Sequence, residues 1–372
     1  MASYTTNSGA GTVTLTFNSL TDVQSKVGNA GRTDAKKITI KALFLDNNGA
    51  RKKVELVVRV QNAPVGCSVR KVDDPGKTNP VINGWLTFMC YNLGADPDYG
   101  DPIAQKAYVP YPNNSGSTDR TVYGDVYQWG RIDDGHQRRD LTPENIWPSD
   151  HFGQTTGFAN NPVPNAPANI DMKGEKPSYQ VLETDVRFGK FIRRNVSSYD
   201  WIAGTGTDEG IYDDRWNIGS EETPVKAPAD PCPAGWRVPT RTEWASIYGT
   251  TTDCTTGDCL GNAKVNQWVY NFADFAASPA GDPGTRGISL TPSGTAGNTT
   301  YGADPTLFLP AGADRDHDHA AVNGVGGASI CWSSSVVASG VHAYTLAWSS
   351  TLVYLNRKTP RATGNLVRCV SE

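Results

Sequence analysis

Asp230-Pro231-Cys232-Pro233-Ala234-Gly235-Trp236-Arg237-Val238-Pro239-Thr240-Arg241-Thr242-Glu243-Trp244 is the stretch whose reading decides the fold. Pro231, Pro233 and Pro239 fix φ and forbid regular structure before Thr240. Thr240, with Glu243 three residues on, forms the T-x-x-E pattern of a capping box, so a helix is expected over 240–250. Trp236 and Trp244 are large apolar anchors on either side of this turn. Cys232 calls for a partner, and the candidate lies at the far end of the chain, at Cys369 in Val367-Arg368-Cys369-Val370.

Working outward, further stretches line up with a known family. Trp85-Leu86-Thr87-Phe88-Met89-Cys90-Tyr91-Asn92-Leu93-Gly94 comes first, then Tyr123-Gly124-Asp125-Val126-Tyr127-Gln128-Trp129-Gly130. Leu309-Pro310-Ala311-Gly312, Cys331-Trp332-Ser333-Ser334-Ser335 and Arg368-Cys369-Val370 follow. Together with the Cys232–Trp244 segment, these resemble, in order, the motifs of the Fibrobacter succinogenes major paralogous domain of Bacteroidota surface proteins. The resemblance runs from about residue 67 to 372. It implies a C-type-lectin-like fold related to formylglycine-generating enzymes, and hence a ligand-binding scaffold.

Composition bounds the function. The 372 residues carry a net charge of −4, which argues against a nucleic-acid partner, since such partners favour a basic face. Gly 38 and Pro 24, with many Asn, Thr and Ser residues, suggest loops and short strands rather than helices. The Trp count of 10 is high, and Trp serves both cores and binding surfaces. There is no run of about 18 apolar residues, so no membrane insertion is expected. Met1-Ala2-Ser3-Tyr4 leads into strand-like sequence rather than an apolar leader, an opening expected of a trimmed chain or of a virion component.

The 7 Cys residues are an odd number. Cys254 and Cys259 can close a tight local loop, Cys232 with Cys369 would tie the middle to the C-terminus, and Cys67 with Cys90 would clamp the entry to the large domain. Cys331 is left over. Disulfides imply an oxidising compartment. The other reading, buried reduced thiols, stays open at this level.

The fold class expected is α+β: a small N-terminal all-β domain over 1–66, then a loop-rich C-type-lectin-like domain over 67–372 with few short helices. In 1–66, residues 11–17 alternate with period two. Residues 36–45 and 52–60 read as strands joined by Asp46-Asn47-Asn48-Gly49, a hairpin signal. Three strands suit an immunoglobulin-like fragment serving as a stalk, or a module that pairs with another chain. Asn62-Ala63-Pro64-Val65-Gly66 marks the boundary. Residues 97–112 read as a long loop. Residues 158–168 and 203–210 show no periodicity, which in this resemblance belongs to loop-rich inserts. Residues 266–277 are expected to form a second helix, with Trp268, Val269, Phe272 and Phe275 on one face. Residues 281–301 read as a loop, and 307–309, 329–333, 343–348 and 366–370 as strands.

Three chemistries are open. Asp314, Asp316 and Asp318, interleaved with Arg315, His317 and His319, offer oxygen ligands for calcium, although the Glu-Pro-Asn and Gln-Pro-Asp triplets of calcium lectins are absent. A solvated, salt-bridged loop is the alternative. A formylglycine-generating type of enzyme would rest on Cys331, the one unpaired thiol. No other catalytic motif appears, so no catalytic residue and no cofactor are assigned.

The third chemistry is ligand binding. Between residues that resemble fixed family positions, the segment 331–366 carries mixed ones: Val337, Val341, His342, Trp348, Leu352, Tyr354, Arg357, Lys358 and Thr359. This pattern looks like the variable segment of diversity-generating retroelement proteins, which is rewritten at adenines. Most of these residues are reachable from an Asn codon by adenine changes, and Cys331 from a Tyr codon. Trp348 and Lys358 are not reachable from Asn, and ordinary drift of exposed loops is the alternative. A surface of Tyr, Trp, His and cations suits a paratope.

The expectation is a non-enzymatic, extracellular receptor-binding protein. It would serve as a cell-adhesion protein or pilus component of a bacterial surface, or as a phage-tail tip. Its partner would be a protein or glycan on a cell surface, and its expected assembly a homo-oligomer such as a trimer. The alternative is a structural fimbrial or fibre subunit.

Overall fold

The computed structural model describes residues 64–108, 118–147, part of 180–193, 200–201, 213–256, 259–260, 265–271, 285–292, 306–338 and 341–372, and in 1–63 the backbone of four strands. The inserts expected at 158–168 and 203–210 lie outside the described residues. The chain divides into two compact units, Met1–Ala63 and Pro64–Glu372. In the first, β1 (Ser3–Asn7) pairs antiparallel with β2 (Thr12–Thr16), and β3 (Lys37–Leu45) with β4 (Arg51–Arg59). The β3–β4 register sets Ile38 opposite Val58 and Ile40 opposite Leu56.

The second unit consists of small, mostly antiparallel sheets with few helices. One sheet has the order β10-β20-β6-β5, from Trp236–Arg237, Val370–Ser371, Ile82–Met89 and Gly66–Val72. The C-terminus thus pairs between the 230s turn and the first strands of the unit. A second sheet, β15-β14-β19-β7, joins Val322–Asn323, Asp314–Arg315, Gly364–Asn365 and Tyr127–Gln128. Ile146–Trp147 (β8) and Phe191–Ile192 (β9) form a parallel pair. The sheet β11-β12-β13 joins Asn266–Asn271, Gly287–Pro292 and Leu307–Pro310. The sheet β16-β17-β18 joins Ala328–Val336, His342–Ser349 and Val353–Pro360.

The decisive stretch folds by local chemistry. The buried Asp230 carboxylate accepts the backbone N–H groups of Cys232 and Val238, each at 2.8 Å, and Lys226 Nζ at 2.8 Å, so one side chain ties both limbs of the proline turn. Helix α2 (Arg241–Tyr248) starts at Thr240, whose hydroxyl accepts the Glu243 N–H, while Glu243 accepts the Thr240 N–H at 2.8 Å. It stops at Gly249, which takes φ +99° and donates to Ala245. Trp244 stacks on Phe88 with centroids 5.0 Å apart.

Three disulfides staple the unit: Cys67–Cys90, Cys232–Cys369 and Cys254–Cys259. Cys331 is the free, buried thiol. By the chain-entropy account, the Cys232–Cys369 bridge, with a sequence separation of 137, contributes most, on the order of 5 kcal/mol.

Several expectations need correction. Residues 266–271 form strand β11, not a helix: Trp268 is buried while Val269 is 51% exposed, and Asn266 is held by the Arg70 and Ile247 carbonyls. Period two and a paired neighbour overrode the helical spacing. The remainder of the expected helix, 272–277, lies outside the described residues. The loop expected at 281–301 contains β12, which is buried along its whole length. The loop expected at 97–112 contains α1 (Pro102–Ala107), capped by Asp101 with Pro102 at the first turn. In place of a strand at 366–370, the chain forms the short β19 and β20 on either side of Leu366–Cys369.

Candidate ligand-binding surface

The sheet β16–β18 carries the segment singled out in the sequence. β17 is central, and cross-strand partners share a face. Tyr344 lies opposite Lys358 and His342 opposite Pro360, whereas Ala343 lies opposite Thr359 and Thr345 opposite Arg357. Arg357 and Lys358 are neighbours in sequence, yet the alternation sends them to opposite faces.

Three of the nine expected contact residues are not at the surface. Val337 is 6% exposed, Trp348 1% and Thr359 4%. Trp348 packs edge-on against Tyr270, with centroids 5.9 Å apart. The Thr359 and Thr345 hydroxyls lie 3.1 Å apart. Val337 donates its N–H to His342 where β16 turns into β17. These residues build the sheet and are not available to a ligand. Val341, His342, Leu352 and Tyr354 are half-buried, and Arg357 and Lys358 are exposed.

Two residues join this surface that the sequence reading did not nominate. Tyr344, placed two positions from His342 on the same strand, shares its face and is half-buried. Arg241, the first residue of α2, puts its guanidinium 4.5 Å from the centre of the Tyr344 ring. Its backbone N–H is fixed by Ser335 Oγ at 2.8 Å. Period-two alternation was the available signal for Tyr344. For Arg241 there was none, because the contact spans about a hundred residues of chain.

Arg241, Arg357 and Lys358 supply positive charge here, and Asp314 lies within reach of Arg357. Burial lowers the His342 pKa, and the charges of Arg361, Lys358 and His317 lower it further, which favours a neutral ring at pH 7. Burial pushes Asp314 up to about 6, against the pull of Arg357.

Beneath lies a stack of buried cations and rings. Arg361 sits 4.6 Å from the Trp129 ring centre, Arg215 sits 5.2 Å from Trp129 and 4.9 Å from Trp201, and Arg131 sits 5.1 Å from Trp201. Arg361 is paired with Asp200 at 3.5 Å and with Asp213. Gly130 must be glycine here: a Cβ would stand 2.5 Å from Arg215 Nε, and φ is +82°. This stack holds the residue that follows β18, and so anchors that end of the sheet.

The acidic loop gathers differently from the expectation. Asp316, Asp318 and His319 bring their ligand atoms within 4.8 Å of one another, and Asp314 is not in the group. Asp316 Oδ1 accepts the N–H groups of Asp318 and His319, each at 2.9 Å, which makes it a turn-capping carboxylate. Cys331 is buried, and burial pushes its thiol up to about 12, which favours the protonated form at neutral pH.

Comparison of the chain with family models, with curated proteins and with solved structures gives no match in any of the three.

Proposed function

We propose that this chain is a non-enzymatic binding protein with a C-type-lectin-like second unit, which holds its ligand at the His342–Pro360 end of the β16–β18 sheet. The observation that carries this reading is that His342, Tyr344 and Lys358 share one face at this end of the sheet, with Arg241 against the Tyr344 ring. These side chains stand exposed or half-buried on a sheet whose interior is fully packed. A binding surface requires rings and charges held ready on a rigid base. Three disulfides and the Arg–Trp stack supply that base. Disulfides are also compatible with an extracellular setting, and among the described residues no helix is long and apolar enough to cross a membrane. On this reading the protein is an adhesin of a bacterial surface or a receptor-binding protein of a phage, and the sequence resemblance to retroelement-diversified proteins names the group it would belong to.

The test is a binding screen against cell surfaces and arrayed glycans, followed by the combined variant His342→Ala, Tyr344→Ala and Lys358→Ala. Binding should fall at least about tenfold, the loss of roughly 1.4 kcal/mol or more, with little change in melting temperature. Undiminished binding by a folded variant would place the ligand elsewhere.

A further inference from the structure

The chemistry of this surface points to a ligand class. Arg241 and Lys358 flank Tyr344, one over its ring at 4.5 Å and the other directly across the strand pair. Among the described residues, neither cation has an ion-pair partner. Glu243 is held by Arg237 at 2.7 Å, and Glu221 by the Thr242 backbone and hydroxyl at 3.2 and 3.1 Å. Asp200 and Asp213 are held by Arg361. Arg241 and Lys358 thus bring two positive charges to one aromatic ring, on a chain whose net charge is −4.

The large apolar side chains of this sheet are mostly turned inward, with Val341 and Leu352 half-buried. Val337, Leu346 and Trp348 are all buried in the sheet. Peptide partners draw their affinity chiefly from large side chains seated in apolar pockets. A partner met by a ring and two cations must instead bring an anionic group and a flat, polar body. Guanidinium and ammonium groups pair with carboxylate or sulfate oxygens through charge-assisted hydrogen bonds.

We infer, building on the ligand-binding reading above, that Arg241, Tyr344 and Lys358 form a subsite for an acidic saccharide. In it, the cations pair with the sugar's carboxylate or sulfate while the ring rests against Tyr344. Arg241 belongs to helix α2 and lies outside the segment 331–366, so it would be the constant member of a subsite whose Lys358 lies within that segment.

The test is calorimetric titration of the full chain with a sulfated and a uronate-bearing oligosaccharide, and with their uncharged parents. Acidic sugars should bind and the neutral parents should not, with Kd rising about tenfold between roughly 50 and 300 mM salt. Lys358→Glu should weaken binding by at least about tenfold. Lys71→Glu, the same charge change on β5 of another sheet, should not. Absence of binding to either acidic sugar, equal binding of the neutral parents, or selection of an acidic peptide instead would overturn the inference. If such a neutral or peptide ligand is lost on Tyr344→Ala, the binding surface stands and only the ligand class falls. If it is not lost, the surface itself is misplaced.

Discussion

His136 shows how much a single buried side chain can report. Its Nε2 accepts the Gln128 N–H at 3.1 Å, so the ring proton sits on Nδ1, 2.6 Å from Asp134 Oδ1. Burial first, and then the charge of Arg131, push its pKa down from 6.5 to about 4, against the pull of Asp134. The folded state therefore favours the neutral ring. Its contribution is complete above about pH 6.5, where the unfolded chain is also neutral, and is lost as pH falls to about 4. Denaturation across that range should show wild type losing about 3 kcal/mol more than His136→Gln. Equal slopes for the two proteins would show that His136 charges freely in the fold. Asp125 and Asp314, pushed up by burial to about 7 and about 6, act in the opposite direction, and for that reason the comparison is made against a variant.

At the scale of elements, what was legible in the sequence was what is local. The capping box at Thr240 and Glu243 could be read because four consecutive residues contain the whole device. The pairing of β3 with β4 could be read from their alternation and from the Asn-Gly signal in the sequence between them. The three bridges found are the pairs weighed from the sequence, the short Cys254–Cys259 loop being the plainest. Strand β11 was misread because Trp268, Val269, Phe272 and Phe275 fit a helical face, while the partner that settles the matter, β12, lies about twenty residues away. The Arg–Trp stack could not be read at all, since it draws on residues 129, 131, 201, 215 and 361. The candidate surface was half legible: β16 and β17 were placed in part, β18 was not expected, and burial of Trp348, Val337 and Thr359 depends on the packing of neighbouring sheets. That burial limits any diversification. Sequencing this gene's 3′ end across one source population should find substitutions at 341, 342, 354, 357 and 358, with 337, 348 and 359 near-invariant. Free variation at Trp348 would contradict the packing, and an invariant segment throughout would remove the retroelement reading.

At the scale of the whole molecule, the second unit fits a rigid mount for a small, exposed, cationic and aromatic patch. Its two ends are bonded to its middle by Cys232–Cys369 and by the pairing of β20 with β10 and β6. Loops can then differ without unfolding the scaffold. The central claim is that the patch at the His342–Pro360 end is where the ligand rests. It is tested most directly by hydrogen exchange on the full chain, with and without the ligand captured in the binding screen. Slowed exchange at 241 and across 342–358, with the rest of Pro64–Glu372 unchanged, is the predicted result. Protection confined to other segments, such as the Asp316–His319 loop alone, would contradict it.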